Sequence, residues 1–238
     1  MGDVNQRIFV EKFAGSLAGP FLEVGSKNYG NTQDLRALFV GDREYVGVDM
    51  AEGPGVDVVI DLTEDFAAVD AALSGRRFGT IFCLSVLEHC DQPFRMAENL
   101  TRLLAPAGCL CVSVPFAWRI HAYPNDYWRF TPAGVRKLFP LLDFDADRCM
   151  VATSRPGEFA PIDDDLGKIV FSFSRHRKNG HILRGVSAEL LRLLSRIGLF
   201  RWVAGYRHVF APTTVLMVGR RKEGVEDESE PDRDAVVL

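Results

Sequence analysis

FLEVGSKNYG, residues 21–30, decides the fold class: a short apolar run ends in an acid and opens into a glycine-bearing turn. Three later runs repeat the form: YVGVD at 45–49, VDVVID at 56–61 and TIFCLSVLEH at 80–89. Each is strand-length and ends in an acidic, small or polar residue. In an open parallel sheet, ligands bind beyond the carboxyl ends of the strands. Glu23, Gly25, Asp49, Asp61, Ser85, Glu88 and His89 are therefore expected to rim one crevice with the character of a nucleoside-cofactor site.

Working outward, Phe9, Phe13 and Leu17 are spaced four apart, as on a helix lying against the sheet. Thr32 is placed to cap a second helix running to Val40, with Leu35, Leu38 and Phe39 inward. Strand two (45–49) and strand three (56–62) are separated only by Met50–Gly55, and Gly53-Pro54-Gly55 prevents a helix there. Parallel strands ordinarily need a crossover of about a dozen residues, so a compressed, helix-free connection is expected. Residues 64–74 read as helix and 80–86 as a central strand covered on both faces. Asp91 is placed to cap the next helix, with Pro93 in its first turn and Gly108 past its end. Strand five follows at 109–114. An aromatic, proline-interrupted loop, PFAWRIHAYPNDYWRFTP, fills 115–132. Thr131-Pro132 opens a helix, 141–153 reads as strand six and 213–220 as the last strand. Residues 1–221 thus form one domain, with 155–208 inserted as a lid or substrate element. The acidic, apolar-poor tail 222–238 is expected to be disordered.

The chain has 238 residues, 47% hydrophobic and 25% charged, with a net charge of −4. That composition is globular and argues against general nucleic-acid binding, which needs Lys and Arg in excess on one face. Five cysteines are an odd number, and Cys83, Cys109 and Cys111 fall within strands. Reduced, buried thiols are expected. No second Cys/His pair stands at zinc-ligand spacing, and Asp163-Asp164-Asp165 reads as a solvated charge run, so no metal is expected. The first residues show no secretory pattern, and no apolar run approaches the roughly 20 residues of a bilayer span. A cytoplasmic location is expected.

Glu23, two residues before Gly25, disfavours a dinucleotide pyrophosphate, because a carboxylate there adds repulsion. It suits a cationic ligand such as a sulfonium amino acid. Asp49, ending strand two, is placed to accept hydrogen bonds from ribose hydroxyls. G-x-G-x-x-G after strand one is absent, against a nicotinamide oxidoreductase.

The ordered set LEVGSKNYG, YVGVD, GPGVDVVIDL, SVLEHCDQPF and HAYPNDYWRFTP resembles class I S-adenosylmethionine-dependent methyltransferases, in particular the type 11-like branch, over roughly residues 20–140. The resemblance implies a Rossmann-like, seven-stranded α/β sheet in order 3-2-1-4-5-7-6. Strand seven is antiparallel, helices cover both faces and a partly helical insertion lies between strands six and seven. It implies S-adenosylmethionine as cofactor. Glu23, Gly25 and Ser26 would cradle its methionine end, with Asp49 and Met50 at the ribose. Asp61 and Leu62 would meet the adenine, and Leu84 and Ser85 the methionyl amine or thioether. Lys27 and Tyr29 stand where that family's turn carries its second and third glycines.

HAYPNDYWRF (121–130) lies where the acceptor should bind. Tyr123, Tyr127 and Trp128 are candidates for an apolar wall; Asp126 and Arg129 are candidates for orienting the acceptor. His121 and His89 are candidate bases. The plainer alternatives are an aromatic loop with an internal Asp–Arg pair and a structural histidine at 89. The expected partner is a small molecule, preferably one presenting a sugar or secondary-metabolite hydroxyl. Nitrogen or carbon acceptors, or a non-catalytic cofactor- or partner-binding relative, are the alternatives. In 184–207, Leu190, Leu191, Leu194, Ile197 and Val203 form an apolar stripe beside Arg184, Arg192, Arg196, Arg201 and Arg207. That pattern suits a lid or dimer element; peripheral membrane or lipid-linked acceptor contact is the alternative.

Overall fold

Aromatic and β-branched residues bounded by glycines and prolines build one sheet in the computed structural model, which describes residues 4–30, 34–39, 41, 44–121, 125–162, 173–178, 180–196, 198 and 213–222. Its strands are β1 (Phe21–Val24), β2 (Tyr45–Asp49), β3 (Val58–Val59), β4 (Phe78–Leu84), β5 (Leu104–Pro115), β6 (Leu142–Ala152), β7 (Phe159–Pro161) and β8 (Thr214–Arg221). They lie in the order β3-β2-β1-β4-β5-β8-β6-β7. The first five are mutually parallel; β8 runs antiparallel between β5 and β6. This is the expected Rossmann-like sheet with one strand more. The added β7 pairs with Met150–Ala152 at the edge. It lies inside the stretch expected to be an insertion, because the chain reverses through Gly157 (φ +74°) and continues the sheet before leaving it. Asn5 fastens that reversal: its Nδ2 donates to the carbonyls of Thr153 and Arg155, and its Oδ1 accepts from the Gly157 N–H.

The chain divides into two compact units, residues 1–162 with 213–238, and residues 163–212. In the first lie α1 (Val4–Phe13), α2 (Phe66–Ala72), α3 (Pro93–Leu103) and α4 (Pro132–Leu138). The second contains α5 (Phe173–Lys178) and α6 (Ile182–Arg196). Residues 222–238, expected to be disordered, lie outside the described residues apart from Lys222.

Phe9, Phe21, Phe39, Phe82, Cys111, Leu216 and Val218 form a buried layer on one face of the sheet. Phe21 stacks on Phe82 at 6.0 Å, and Phe39 lies 4.4 Å from Phe21. The helix expected over 32–40 is, in its described part, a single 3-10 turn at Arg36–Phe39. It still delivers Leu35 and Phe39 to the core. At α3 the residue before the helix is Gln92, not Asp91, and no side chain caps it. Thr131 does cap α4, accepting from Gly134 N–H at 3.0 Å. All five cysteines are free and buried.

The short connection between β2 and β3 is accommodated by glycine. β3 has only two residues, fewer than the sequence pattern suggests. The loop before it folds flat onto β2: Asp57 N–H donates to the Gly47 carbonyl, and Asp57 Oδ2 accepts from Gly47 N–H. A Cβ on Gly47 would stand 2.1 Å from the Gly55 carbonyl oxygen. No helix fits there, and none is needed. Gly47→Ala must push this loop off the strand. Overpacking of this kind costs about 1–3 kcal/mol, which lowers the melting temperature of a chain this size by about 3–10 °C. Gly15→Ala, with nothing within 4 Å of its new methyl, should leave it unchanged in the same calorimetric scan.

Candidate functional site

Glu23 pairs in register with Gly47 and Phe82, and Val24 with Val48 and Cys83, so β1, β2 and β4 end together. The next residues of each strand open onto one cavity of about 550 Å³. Glu23, Gly25, Asp49 and Met50 form one side; Asp61, Leu62, Leu84 and Ser85 continue the wall. His89, Asn125 and Tyr127 also line it. Eight of the nine residues assigned to the cofactor by resemblance therefore share one cavity.

Ser26 is the exception. It is buried behind the turn, against Gly47, and its Oγ finds no hydrogen-bond partner among the described residues. Gly25 adopts φ +71°, and a Cβ there would stand 2.8 Å from Val86 Cγ2, so this turn excludes other residues.

Glu23 Oε2 accepts from the Tyr45 hydroxyl at 2.7 Å. Burial pushes the Glu23 carboxyl up to about 7, against the opposing pull of that hydrogen bond and of the Arg36 charge. Arg36 is itself held by Asp57. The Tyr45 phenol is raised above its ordinary range, mainly by burial, and stays a donor. Asp49 accepts from the backbone N–H of Lys27 at 3.3 Å and of Ala51 at 3.1 Å. Asp61 accepts from both the backbone and the hydroxyl of Thr63 through one oxygen, Oδ1. Lys27 lines the cavity with its Nζ 5.4 Å from the Tyr29 ring centre.

Ser85 sits at φ +55°, where β4 breaks into the turn Leu87–His89. Gln6 of α1 donates to Ser85 Oγ and Ser113 Oγ and enters the cavity wall. Nothing in the sequence marks Gln6, since a polar residue on a helix reads as surface until the sheet it faces is known. Arg7, Cys90, Gln92 and Met96 also line the cavity.

Beyond Ser85, Glu88 is 1% exposed, and its Oε2 has no hydrogen-bond partner among the described residues. Burial raises its carboxyl to about 7. His89 Nδ1 lies 2.5 Å from the Asn125 carbonyl oxygen, and burial lowers the imidazole pKa. The His121 ring stands edge-on to His89 at 5.0 Å. His121 lies outside the cavity wall and receives support from Asp126: its backbone N–H donates to Oδ2, and its Nδ1 lies 3.2 Å from the same oxygen. Asp126 and Arg129 form a two-pronged pair with each other, and the guanidinium holds the Asp126 carboxyl far below the usual carboxylate range. Both therefore brace the loop and do not line the cavity. Trp128, half-exposed, donates its indole N–H to the Cys90 carbonyl; Tyr127 alone of the loop's described aromatics lines the cavity. Tyr123 lies outside the described residues.

No family model matches the chain, and no curated protein matches it in sequence. Solved structures do match. An S-adenosylmethionine-dependent methyltransferase from Archaeoglobus fulgidus is 13% identical, with TM-score 0.53, over 90% of this chain and 92% of its own. The fold is that of the class I methyltransferases. The 1,6-didemethyltoxoflavin N1-methyltransferase of Burkholderia thailandensis, solved with S-adenosylhomocysteine, is 13% identical at TM-score 0.51, over 92% of this chain and 77% of its own. The 4+2 cyclase SpnF is 14% identical at TM-score 0.53, over 93% and 82%. At such identities the likeness is one of fold, and the cyclase illustrates that this fold hosts more than one chemistry. Among the described residues, no helix is long and apolar enough to cross a membrane.

Glu23 gives the site a pH signature. Its folded-state pKa of about 7 exceeds the ordinary 4.5, so the folded protein holds a proton that the unfolded chain releases. Wild type should lose stability relative to Glu23→Gln as pH rises from 4.5 through 7, by at most about 3 kcal/mol, and the difference should be flat above. Urea unfolding of both proteins across that range measures it; an unchanged difference would mean the carboxylate is charged and solvated.

Proposed function

We propose that the protein is an S-adenosylmethionine-dependent methyltransferase acting on a hydroxyl of a small acceptor, a sugar or secondary metabolite. The observation that carries the reading is the gathering of Glu23, Asp49 and Asp61 around one cavity at the carboxyl ends of β1, β2 and β3. The cofactor's sulfonium and α-amino groups are cationic, and its ribose offers two hydroxyls. Carboxylates in a partly desolvated wall complement both. The group fits the residues present: Glu23 is a half-buried acid lacking a full counter-charge, and the cavity is of the size that holds a nucleoside ligand.

Glu23 and Gly25 hold the methionine end, with Ser26 supporting the turn from the Gly47 side. Asp49 and Met50 bind the ribose, Asp61 and Leu62 flank the adenine, and Leu84 and Ser85 meet the amine and thioether. When bound, the cofactor supplies an electrophilic methyl group. The chain then supplies proximity, alignment and exclusion of water. Tyr127 walls the acceptor, on a loop kept in shape by Asp126, Arg129 and the Trp128 indole bond to Cys90. His89 and His121 form the polar end of that acceptor site, where a hydroxyl must lose its proton as the new bond forms. Imidazoles and a buried carboxyl suit an O–H nucleophile better than a neutral amine, which attacks without prior deprotonation.

Calorimetry with S-adenosylhomocysteine tests the cofactor. Wild type should bind, and Asp49→Ala should bind about 10–100-fold more weakly, the effect of losing charged hydrogen bonds. Absence of binding at saturating ligand overturns the reading. Deuterated-methyl transfer into a cell extract, followed by mass spectrometry, identifies the acceptor.

Leu183, Leu190 and Leu193 of α6 are 86%, 55% and 58% exposed. With the exposed Arg184 beside them, they favour a peripheral membrane or lipid-linked acceptor contact as a further partner. Binding to anionic vesicles at low salt, lost on Leu190→Asp, is the expected result; no co-sedimentation removes this partner.

A further inference from the structure

We propose that Glu88, His89 and His121 bind a divalent transition-metal ion at the acceptor end of the cavity. One ligand atom from each residue lies within 4.8 Å of those of the other two. An ion between them reaches the ~2.0–2.2 Å of nitrogen and carboxylate ligation after shifts of under about 1 Å. No metal is expected from the sequence, which offers no second Cys/His pair at zinc-ligand spacing. The tertiary structure brings the three residues together.

The hydrogen bonds around the cluster favour a cation in it. The Asn125 carbonyl only accepts, so His89 Nδ1 carries the proton and Nε2 presents a lone pair. That Nε2 lies 3.9 Å from Glu88 Oε1, too far for a direct hydrogen bond and wide enough to admit an ion. Glu88 Oε2, in a side chain 1% exposed, has no partner among the described residues. His121 Nδ1 lies 3.2 Å from Asp126 Oδ2 and 3.3 Å from the Arg119 carbonyl oxygen, so Nε2 is the nitrogen we assign to the ion. A histidine whose other ring nitrogen donates to a carboxylate or a backbone carbonyl is the usual arrangement around a bound metal. His89 has it toward the Asn125 carbonyl, and His121 Nδ1 faces both kinds of acceptor, the Asp126 carboxylate and the Arg119 carbonyl.

Two imidazoles and one carboxylate select a transition ion such as zinc, iron(II) or cobalt(II) over magnesium or calcium. Three protein ligands leave positions open, and His89 lines the cavity, so an acceptor hydroxyl can take one. On the methyltransferase reading, the bound hydroxyl releases its proton to solvent water. An oxygen lone pair forms the bond to the methyl carbon, and the carbon–sulfur pair returns to sulfur, which becomes a neutral thioether. Only this last role rests on that reading; metal binding does not.

The test is titration of chelator-stripped full-length protein with cobalt(II) alone, without cofactor or acceptor, followed by visible d–d absorption and by competition with zinc. One cobalt per chain should bind saturably. Glu88→Gln and His121→Asn should each weaken binding about tenfold or more. Circular dichroism confirms folding, and His121→Asn, a change in a loop, keeps the test open if the buried Glu88 variant unfolds. Absence of saturable uptake, or equal uptake by wild type and folded His121→Asn, overturns the proposal and leaves the two histidines as a metal-free base pair. Failure to bind S-adenosylhomocysteine alongside intact cobalt binding would instead remove the methyltransferase reading.

Discussion

The parallel pairing of β1 with both β2 and β4 is the constraint on which the rest of the structure depends. Parallel ladders hold neighbouring strands in fixed register, and side chains alternate faces with a period of two. Once Val24 lies beside both Val48 and Cys83, the residues that follow each strand must emerge at one edge. Glycine at 47 and 55 lets the third acidic strand join that edge without a crossover helix. The cavity is thus a consequence of register, and its chemistry follows from which residues the sequence placed at strand ends.

The layer beneath the cavity sets its electrostatics. Phe21, Phe39, Phe82 and Tyr45 pack against one another under Glu23, and their bulk removes water from its carboxyl. One hydrogen bond from Tyr45 offsets part of that desolvation, while Arg36 is occupied by Asp57. An acid so placed gains most from a cationic ligand. Asp49 is held by backbone N–H groups at both of its oxygens, and Asp61 is held by Thr63 at one, so the structure fixes the direction in which each carboxyl faces the cavity.

The aromatic loop is ordered by bonds to the turn after β4. Tyr127 N–H donates to the Glu88 carbonyl and Trp128 to that of Cys90, so the loop and the Glu88–His89 turn are positioned together. Asp126 and Arg129 neutralise each other inside the loop and hold His121 toward His89. Charged residues that looked suited to gripping an acceptor instead stiffen the element that presents the histidines.

The amino-acid sequence by itself determined the sheet and its ligand edge. Strand-length apolar runs ending in Glu23, Asp49, Asp61 and Ser85 carry that information locally, because strand period and turn chemistry act over a few residues. What depends on partners is not local: the described part of the stretch after β1 is one 3-10 turn, β7 adds a strand at the sheet edge, and Ser26 lies behind the turn. Gln6, the orphaned oxygen of Glu88 and the approach of His121 to His89 were decided only by the tertiary structure. Burial and side-chain pairing between residues 32 or more positions apart are properties of packing, and no local pattern encodes them.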